Sequence, residues 1–284
     1  MAEEGIFEKI TAQYYTLTGS EKKVADYILH QREKTQYMSI TDLAEHCLVA
    51  EATVTRFCKS LGYKGYNALK LAVANATAKQ GSHQATPGAI SETDSVEEVC
   101  QKCATFSIEA INQTLEVLNP TVIATAATLL SQANCVLCMG QGGSMLLAQQ
   151  AAHLFSTTFP NFYAIADSHA QMIAISHLQK GDVALIFSYS GSTAELEAML
   201  RVVGEKEAIS ILVTRFPKSP GGMKADMILP CGANEAPLQL GSVPAAVSQL
   251  ILLDSLYQEL CRRDFENTNR KREEVARALL EKHL

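Results

Sequence analysis

The segment DVALIFSYSGSTAEL, residues 182–196, changes character twice. Val183 to Phe187 form an unbroken apolar run, the pattern of a strand buried on both faces of a parallel sheet. Ser188, Tyr189, Ser190, Ser192 and Thr193 then crowd around Gly191, and no charge follows until Glu195. Beyond Thr193 the chain reads as a helix-length segment. Strand, hydroxyl-rich turn and helix in this order make up one unit of an α/β fold.

Outward from this segment the pattern recurs. Candidate strands are NCVLCM (134–139), FYAIA (162–166), DVALIFS (182–188), AISILV (208–213) and DMILP (226–230), separated by helix-length segments at 144–158, 169–178 and 193–206. Short Val/Ile/Leu-rich strands joined by helical crossovers predict a doubly wound parallel sheet. Such sheets bind ligands beyond the carboxyl ends of their strands. GQGGS, Gly140–Ser144, follows the first strand, and SYSGST, Ser188–Thr193, follows the third; each opens a helix. Backbone N–H groups, hydroxyls and two helix dipoles would converge on one crevice, an arrangement that suits a phosphate without an obligatory Lys or Arg. A nucleotide is disfavoured: GQGGSM lacks the third glycine of a dinucleotide fingerprint, and neither loop has the Gly-Lys-Ser/Thr of a P-loop.

The first 75 or so residues read differently. TGSEKKVADYILHQ offers Thr18 or Ser20 as an N-cap ahead of Val24, Ala25, Ile28 and Leu29 on one face; MSITDLAEHC offers Ser39 or Thr41 ahead of Ile40, Leu43 and Ala44. In VAEATVTRFCKSLGYKGY, Val54, Phe57 and Leu61 recur at helical spacing and Gly62 marks the stop. Three short amphipathic helices in this order fit a helix-turn-helix module. With Val54, Phe57 and Leu61 inward, Glu51, Ala52, Thr55, Arg56 and Lys59 are left on the outer face at the end of the helix that enters a major groove. Arg56 suits bidentate reading of guanine, and Thr53, Thr55, Lys59 and Lys64 suit phosphate oxygens.

Charge supports the division. The chain has 284 residues and a formal charge of −6, which by itself argues against a nucleic-acid partner. Residues 1–79 nevertheless hold ten Lys/Arg against nine Asp/Glu, while residues 80–284 hold fourteen against twenty-one. No Asp or Glu occurs from Ala52 through Ser91, where Arg56, Lys59, Lys64, Lys70 and Lys79 do. Between the two regions AKQGSHQATPGAISETDS, residues 78–95, is small and polar, and reads as a linker. The expected domains are therefore residues 1–77, all α-helical, and residues 96–284, α/β with a C-terminal helix.

Residues 117–166 carry no Asp, Glu, Lys or Arg, but polar residues and Pro interrupt every apolar run before ~20 residues accumulate, so no membrane span is expected. The N-terminus lacks the basic and apolar regions of a signal peptide, so the expected compartment is the cytoplasm. Eight cysteines are then expected as thiols. Of two CxxC pairs, Cys100/Cys103 lies in a helix-like segment, and strand alternation sends Cys135 and Cys138 to opposite faces; neither is expected to hold a metal.

SITDLAEHC followed by EATVTRFCKSLGYKGYNALK resembles the N-terminal domain of RpiR-family transcriptional regulators over residues 5–77, with an A-T-V-x-R-F core running into L-G-Y-K-G-Y. The family commonly has Gly-Val-Ser in the turn, where this chain has Leu48, Val49 and Ala50. Ala50 offers no side-chain oxygen as a cap, and Leu48 removes a favourable turn glycine. MGQGGS with FSYSGSTAEL resembles the SIS, or sugar isomerase, domain over residues 105–262, whose loops bind phosphorylated sugars. By that resemblance Ser188, Tyr189, Ser190 and Thr193, with Gly191 and Ser192 in the same turn, hold the phosphate, while Gly142, Gly143 and Ser144 meet the sugar. The implied protein is a regulator of carbohydrate genes that binds double-stranded operator DNA, takes a phosphosugar as effector and works as a homodimer or tetramer. The segment 243–262 resembles the late SIS helix near the site and subunit interface, and the charged segment beyond it reads as an amphipathic helix.

Two other readings compete. A sugar-phosphate isomerase needs a general base and an acid for ring opening. Glu195, His153, His169, His177 and Glu235 are available by type, yet none stands in an isomerase signature, so no catalytic residue and no cofactor are expected; His169 and Glu235 could contact ligand hydroxyls. A phosphosugar sensor that controls a protein partner would have no use for the acid-free basic stretch.

Overall fold

A computed structural model describes residues 5–80, 90–233 and 241–280. It divides into two compact units, one drawn from residues up to Phe106 and the other from Ser107–Ala233 and Val243 onward. The central part of the expected linker, residues 81–89, and Glu235 lie outside the described residues.

The N-terminal region is helical: α1 (Ile6–Gln13), α2 (Gly19–His30), α3 (Arg32–Thr35), α4 (Ile40–His46), α5 (Glu51–Ser60) and α6 (Tyr66–Gln80). Its core is local, built from residues such as Ile10, Val24, Ile28, Leu43, Val54, Phe57 and Leu69, each fully buried. Thr18 rather than Ser20 starts α2. Its hydroxyl accepts the Glu21 N–H at 3.4 Å and the Glu21 carboxylate accepts the Thr18 N–H at 2.9 Å. Ser39 and Asp42 exchange the same two bonds at the start of α4, both at 3.0 Å. These reciprocal bonds satisfy N–H groups that a helix start leaves orphaned.

Helices α4 and α5 end alike but on different residues. Beyond α5, Gly62 N–H donates to Lys59 O at 3.0 Å and Tyr63 N–H to Cys58 O at 2.9 Å, with Gly62 at φ +84°. Beyond α4, Leu48 N–H donates to Glu45 O at 3.0 Å and Val49 N–H to Ala44 O at 2.9 Å, with Leu48 at φ +53°. Both are Schellman motifs, whose left-handed position favours glycine. Leu48 occupies it with a side chain 83% exposed. Ala50 then starts α5 with no side-chain cap, as the sequence implies.

Next come α7 (Val96–Val117), α8 (Pro120–Gln132), β1 (Val136–Gly140), α9 (Gly143–Ser156), β2 (Phe162–Ala164), α10 (Ser168–Ser176), β3 (Val183–Phe187), α11 (Ala194–Glu205), β4 (Ile209–Thr214), β5 (Met227–Pro230), α12 (Val243–Arg263) and α13 (Phe265–Leu280). The five strands form one parallel sheet in the order β2-β1-β3-β4-β5. Alternate residues face two cores. Cys138, Leu185 and Ile211 lie in register and pack with α8, α9 and α12; Met139, Ile186 and Leu212 pack with α10 and α11. Cys135 and Cys138 accordingly join different faces. Burial pushes the Cys138 thiol well above its ordinary range. Among the described residues no helix is long and apolar enough to cross a membrane.

Candidate DNA-facing helix and ligand crevice

Helix α5 is positioned by α2 and α4, both of which pack against it. That contact buries Val54, Phe57, Cys58 and Leu61 and leaves Glu51, Ala52, Arg56 and Lys59 exposed, with Thr55 half-buried and Lys64 exposed just beyond. Thr53 departs from expectation. It is 6% exposed, and its hydroxyl accepts from Arg56 Nη2 at 3.3 Å. Three helices, α2, α4 and α6, press on α5, and its buried face extends one residue beyond the Val54–Phe57–Leu61 stripe. Thr53 therefore steadies Arg56 rather than facing a phosphate. Glu51 is also engaged, its carboxylate accepting the Thr41 hydroxyl at 2.6 Å. The Thr18 hydroxyl and N–H, chiefly, hold Glu21 below the usual carboxylate range, and the Arg56 guanidinium adds to the effect.

The second candidate site follows from strand order. β1 and β3 are neighbours, with Gly140 opposite Phe187, and their chains continue to α9 on one face and α11 on the other. This is the switch point at which a doubly wound sheet opens a crevice. In the first loop Gly140 lets the chain turn against α9: a Cβ there would stand 2.6 Å from the Ser144 carbonyl oxygen. Gly142, at φ +55°, precedes α9, and Gly142 and Gly143 are exposed while Ser144 is half-buried.

One residue missed by sequence reasoning fixes this loop. Gln171 of α10 is fully buried, and its Nε2 donates to Ile165 O at 2.7 Å and Gly140 O at 3.1 Å. Its Oε1 accepts from Gln141 Nε2 at 2.9 Å. A buried amide that satisfies both backbone and side chain acts as a rigid strut. His169 begins the same helix and is exposed, as are His153, His177 and Glu195.

The second loop is set by close packing. Gly191 has φ +60°, and a Cβ on it would stand 2.0 Å from Ser219 Oγ. Its carbonyl accepts from Gly221 N–H at 2.8 Å and its N–H donates to Ser188 O at 3.2 Å. Ser190, Ser192 and Thr193 are exposed, and the Thr193 hydroxyl caps α11 by accepting from Leu196 N–H at 3.3 Å. The first turn of α11 leaves further N–H groups without intrahelical acceptors, an anion-favouring end.

Two residues expected to hold phosphate make other bonds through at least one polar group, as the Ser192 hydroxyl also does by donating to Ser190 O at 3.0 Å. Ser188 is buried and its N–H donates to Val213 O at 3.0 Å, so it still belongs to the β3–β4 ladder. The Tyr189 hydroxyl donates to Ala233 O at 2.9 Å, with its ring edge-on to Phe216. The exposed hydroxyls of the loop are those of Ser190, Ser192 and Thr193.

The residues after β5 are tightly held. Ala233 is buried at φ +98°, a conformation costing a non-glycine residue on the order of 1–3 kcal/mol. Its carbonyl also accepts from Arg215 Nε at 3.0 Å, and its N–H donates to Gln113 Oε1 at 3.2 Å. Gly232 N–H donates to Thr114 Oγ1 at 3.0 Å.

Two family models match the chain: a helix-turn-helix domain of the rpiR family over residues 4–80 and a SIS domain over residues 129–258. The chain is 33% identical over 264 residues to an uncharacterized HTH-type transcriptional regulator of Caldanaerobacter subterraneus, covering 93% of each. It is 27% identical over 253 residues to the HTH-type transcriptional regulator RpiR of Escherichia coli, covering 89% of this chain and 85% of that one. Among solved structures, the Vibrio vulnificus NanR protein complexed with ManNAc-6P has a similar fold, with a TM-score of 0.86 at 23% identity over 98% of both chains.

Proposed function

The chain belongs to the RpiR family of transcriptional regulators, with a helix-turn-helix domain followed by a SIS domain, and on that premise we propose that it is a phosphosugar-responsive repressor or activator of carbohydrate genes. The carrying observation is the pairing of two glycine- and hydroxyl-bearing loops at the β1/β3 switch point, each leading into a helix N-terminus. Ser190, Ser192 and Thr193 hold the phosphate with the N–H groups of the first turn of α11. Gly142, Gly143 and Ser144 face the sugar, and His169 meets its hydroxyls. Arg56, Lys59, Lys64, Thr55 and Ala52 form the DNA face, with Arg56 reading a base.

The protein acts as a cytoplasmic homo-oligomer that places two helix-turn-helix modules on operator half-sites. The effector shifts the operator-binding equilibrium through different affinities for the two states of the protein. It supplies no catalytic base, and regulation is its whole activity. The phosphosugar bound by NanR makes hexosamine phosphates the first candidates.

The test is thermal stabilisation of the full chain by a panel of sugar phosphates, matching free sugars and inorganic phosphate. One phosphosugar raises the melting temperature of the wild type, its free sugar does not, and Ser190→Ala loses the response. Absence of any shift across the panel, or turnover of a phosphosugar by the protein, sinks the reading.

A further inference from the structure

The hydrogen bond from Tyr189 leads, through Ala233, to α7. It ends on Ala233 O, at 2.9 Å. Ala233 N–H continues to Gln113 Oε1 at 3.2 Å, and the preceding residue, Gly232, donates to Thr114 Oγ1 at 3.0 Å. Thr114 is fully buried, and its hydroxyl donates in turn to Ala110 O at 2.7 Å. No slack exists at this junction: a Cβ on Gly232 would stand 2.3 Å from the backbone of Gln113 and Thr114. The loop that follows β3 is thereby tied, through one phenol and one dipeptide, to the C-terminal half of α7. Helix α7 is continuous across the point at which the chain divides into its two units, Phe106/Ser107.

Coupling between sites needs an element with two arrangements, and Ala233 has the properties of one. Its left-handed φ of +98° is unfavourable for alanine, and it persists with its carbonyl held by Tyr189 and Arg215 and its N–H by Gln113. The Tyr189 backbone is held as well, its carbonyl accepting from Thr214 Oγ1 and Arg215 N–H, both at 3.1 Å. An anion that draws in Ser190, Ser192 and Thr193 therefore pulls on a residue whose side chain is the nearest point of release. Weakening the Tyr189–Ala233 bond lets Ala233 relax, and Gln113 and Thr114 lose or shift their partners.

We propose that Tyr189 is a coupling residue rather than a ligand: its hydroxyl carries occupancy of the Ser190–Thr193 loop through Ala233 to Gln113 and Thr114 of α7. The proposal deepens the phosphosugar reading and rests on it for the identity of the input, but the linkage itself belongs to the hydrogen bonds and can be tested without any ligand.

The experiment is amide hydrogen exchange on the full chain, followed by mass spectrometry. In the ligand-free arm, Gln113→Ala raises exchange of the 189–193 amides by about threefold or more when Tyr189 is present, and by less than half as much in Tyr189→Phe, which keeps the ring and loses the hydroxyl. Equal effects in the two backgrounds overturn the proposal. In the second arm inorganic phosphate is the probe. Wild type gains protection in the 190–193 loop and loses it in residues 110–117; Tyr189→Phe and Ala233→Gly, the latter relaxing the backbone without removing a donor, change in the loop alone. Loop protection accompanied by a change in α7 in both variants, or by none in the wild type, overturns the proposal. If phosphate protects no segment while the Gln113→Ala effect still depends on Tyr189, the coupling stands and it is the phosphate-binding reading that fails.

Discussion

The Thr41 hydroxyl donates to the Glu51 carboxylate at 2.6 Å, so a side chain of α4 grips the first residue of α5 across the turn that joins them. Besides the two backbone bonds that close α4, the turn carries Leu48 in the left-handed region and Ala50, which offers no capping oxygen.

Repair of that turn should stabilise the N-terminal helices. Leu48→Gly is expected to gain about 0.5–1 kcal/mol, the left-handed cost to leucine less the added freedom of glycine when unfolded. Ala50→Ser is expected to gain about 1 kcal/mol through the bond to an orphaned N–H. The chain has no tryptophan, so urea unfolding followed by far-UV circular dichroism is the measurement. No gain from either change would mean that packing against α2 and α4 alone sets the geometry.

On the proposed DNA face, Arg56 and Lys64 should fail in different ways. With an operator selected from random duplexes, Arg56→Ala is expected to cost about 1–3 kcal/mol and to relax preference at one base position. Lys64→Ala should weaken all duplexes alike and reduce the slope of log K against log salt by about 1. Thr53→Val, which deprives Arg56 of its prop, should fall between wild type and Arg56→Ala. Loss of affinity without loss of base preference in Arg56→Ala would remove its reading role.

Two glycines of the crevice, both at positive φ, separate backbone strain from lack of room. Gly142 has nothing within 4 Å of where a Cβ would stand, so Gly142→Ala should cost only the backbone penalty, about 1–2 kcal/mol. At Gly191 the added atom would collide with Ser219, and Gly191→Ala should cost about 2–4 kcal/mol. Equal costs in chemical unfolding would show that the Ser219 segment yields freely.

At the end of α12 a pH dependence is expected. The Arg262 and Arg263 guanidinium groups beside Glu259 hold its carboxyl down to about 2, against an unfolded value of about 4.3. A lowered native pKa gives stability that is present above the unfolded value and is lost as pH falls toward the native one. Arg263 also donates to Thr128 Oγ1 at 2.6 Å and Ala124 O at 2.7 Å, so Glu259 orients the tie between α12 and α8. Between pH 5 and pH 3 the urea midpoint of Glu259→Gln should fall less steeply than that of the wild type. Parallel curves would show the pair to be without effect on stability.

How far the sequence carried the description depended on where the determining partners lie. β1, β3 and β4 were legible because strands covered on both faces are predominantly apolar, and the caps Thr18 and Ser39 because each partner stands three residues away. The two loops at the β1/β3 switch point were legible because glycines and hydroxyls follow the strands that lead into them. Tyr189 was not, since its acceptor lies 44 residues further along and no local pattern reports the direction of a phenol. Gln171 gave no signal, as one glutamine in a short apolar helix looks like any solvated residue. Thr53 was misplaced because the apolar stripe of α5 marks the centre of its buried face and not the width that three neighbouring helices give it.

The local core of the N-terminal helices and the strand order of the sheet set a timetable on the ribosome. The core residues of the helical unit lie between Ile6 and Val73, whereas β1, from Val136, meets its central neighbour β3 only after Phe187 has been made, and β5 must wait for Pro230. At ~5–20 residues per second, synthesis leaves an interval on the order of ten to thirty seconds between the two events. During that interval a nascent chain holds finished N-terminal helices with no completed sheet beyond them, and β1 has only the three-residue β2 to pair with. Chaperone demand in this protein should therefore fall on the stretch between α8 and β3, while the N-terminal helices are already folded.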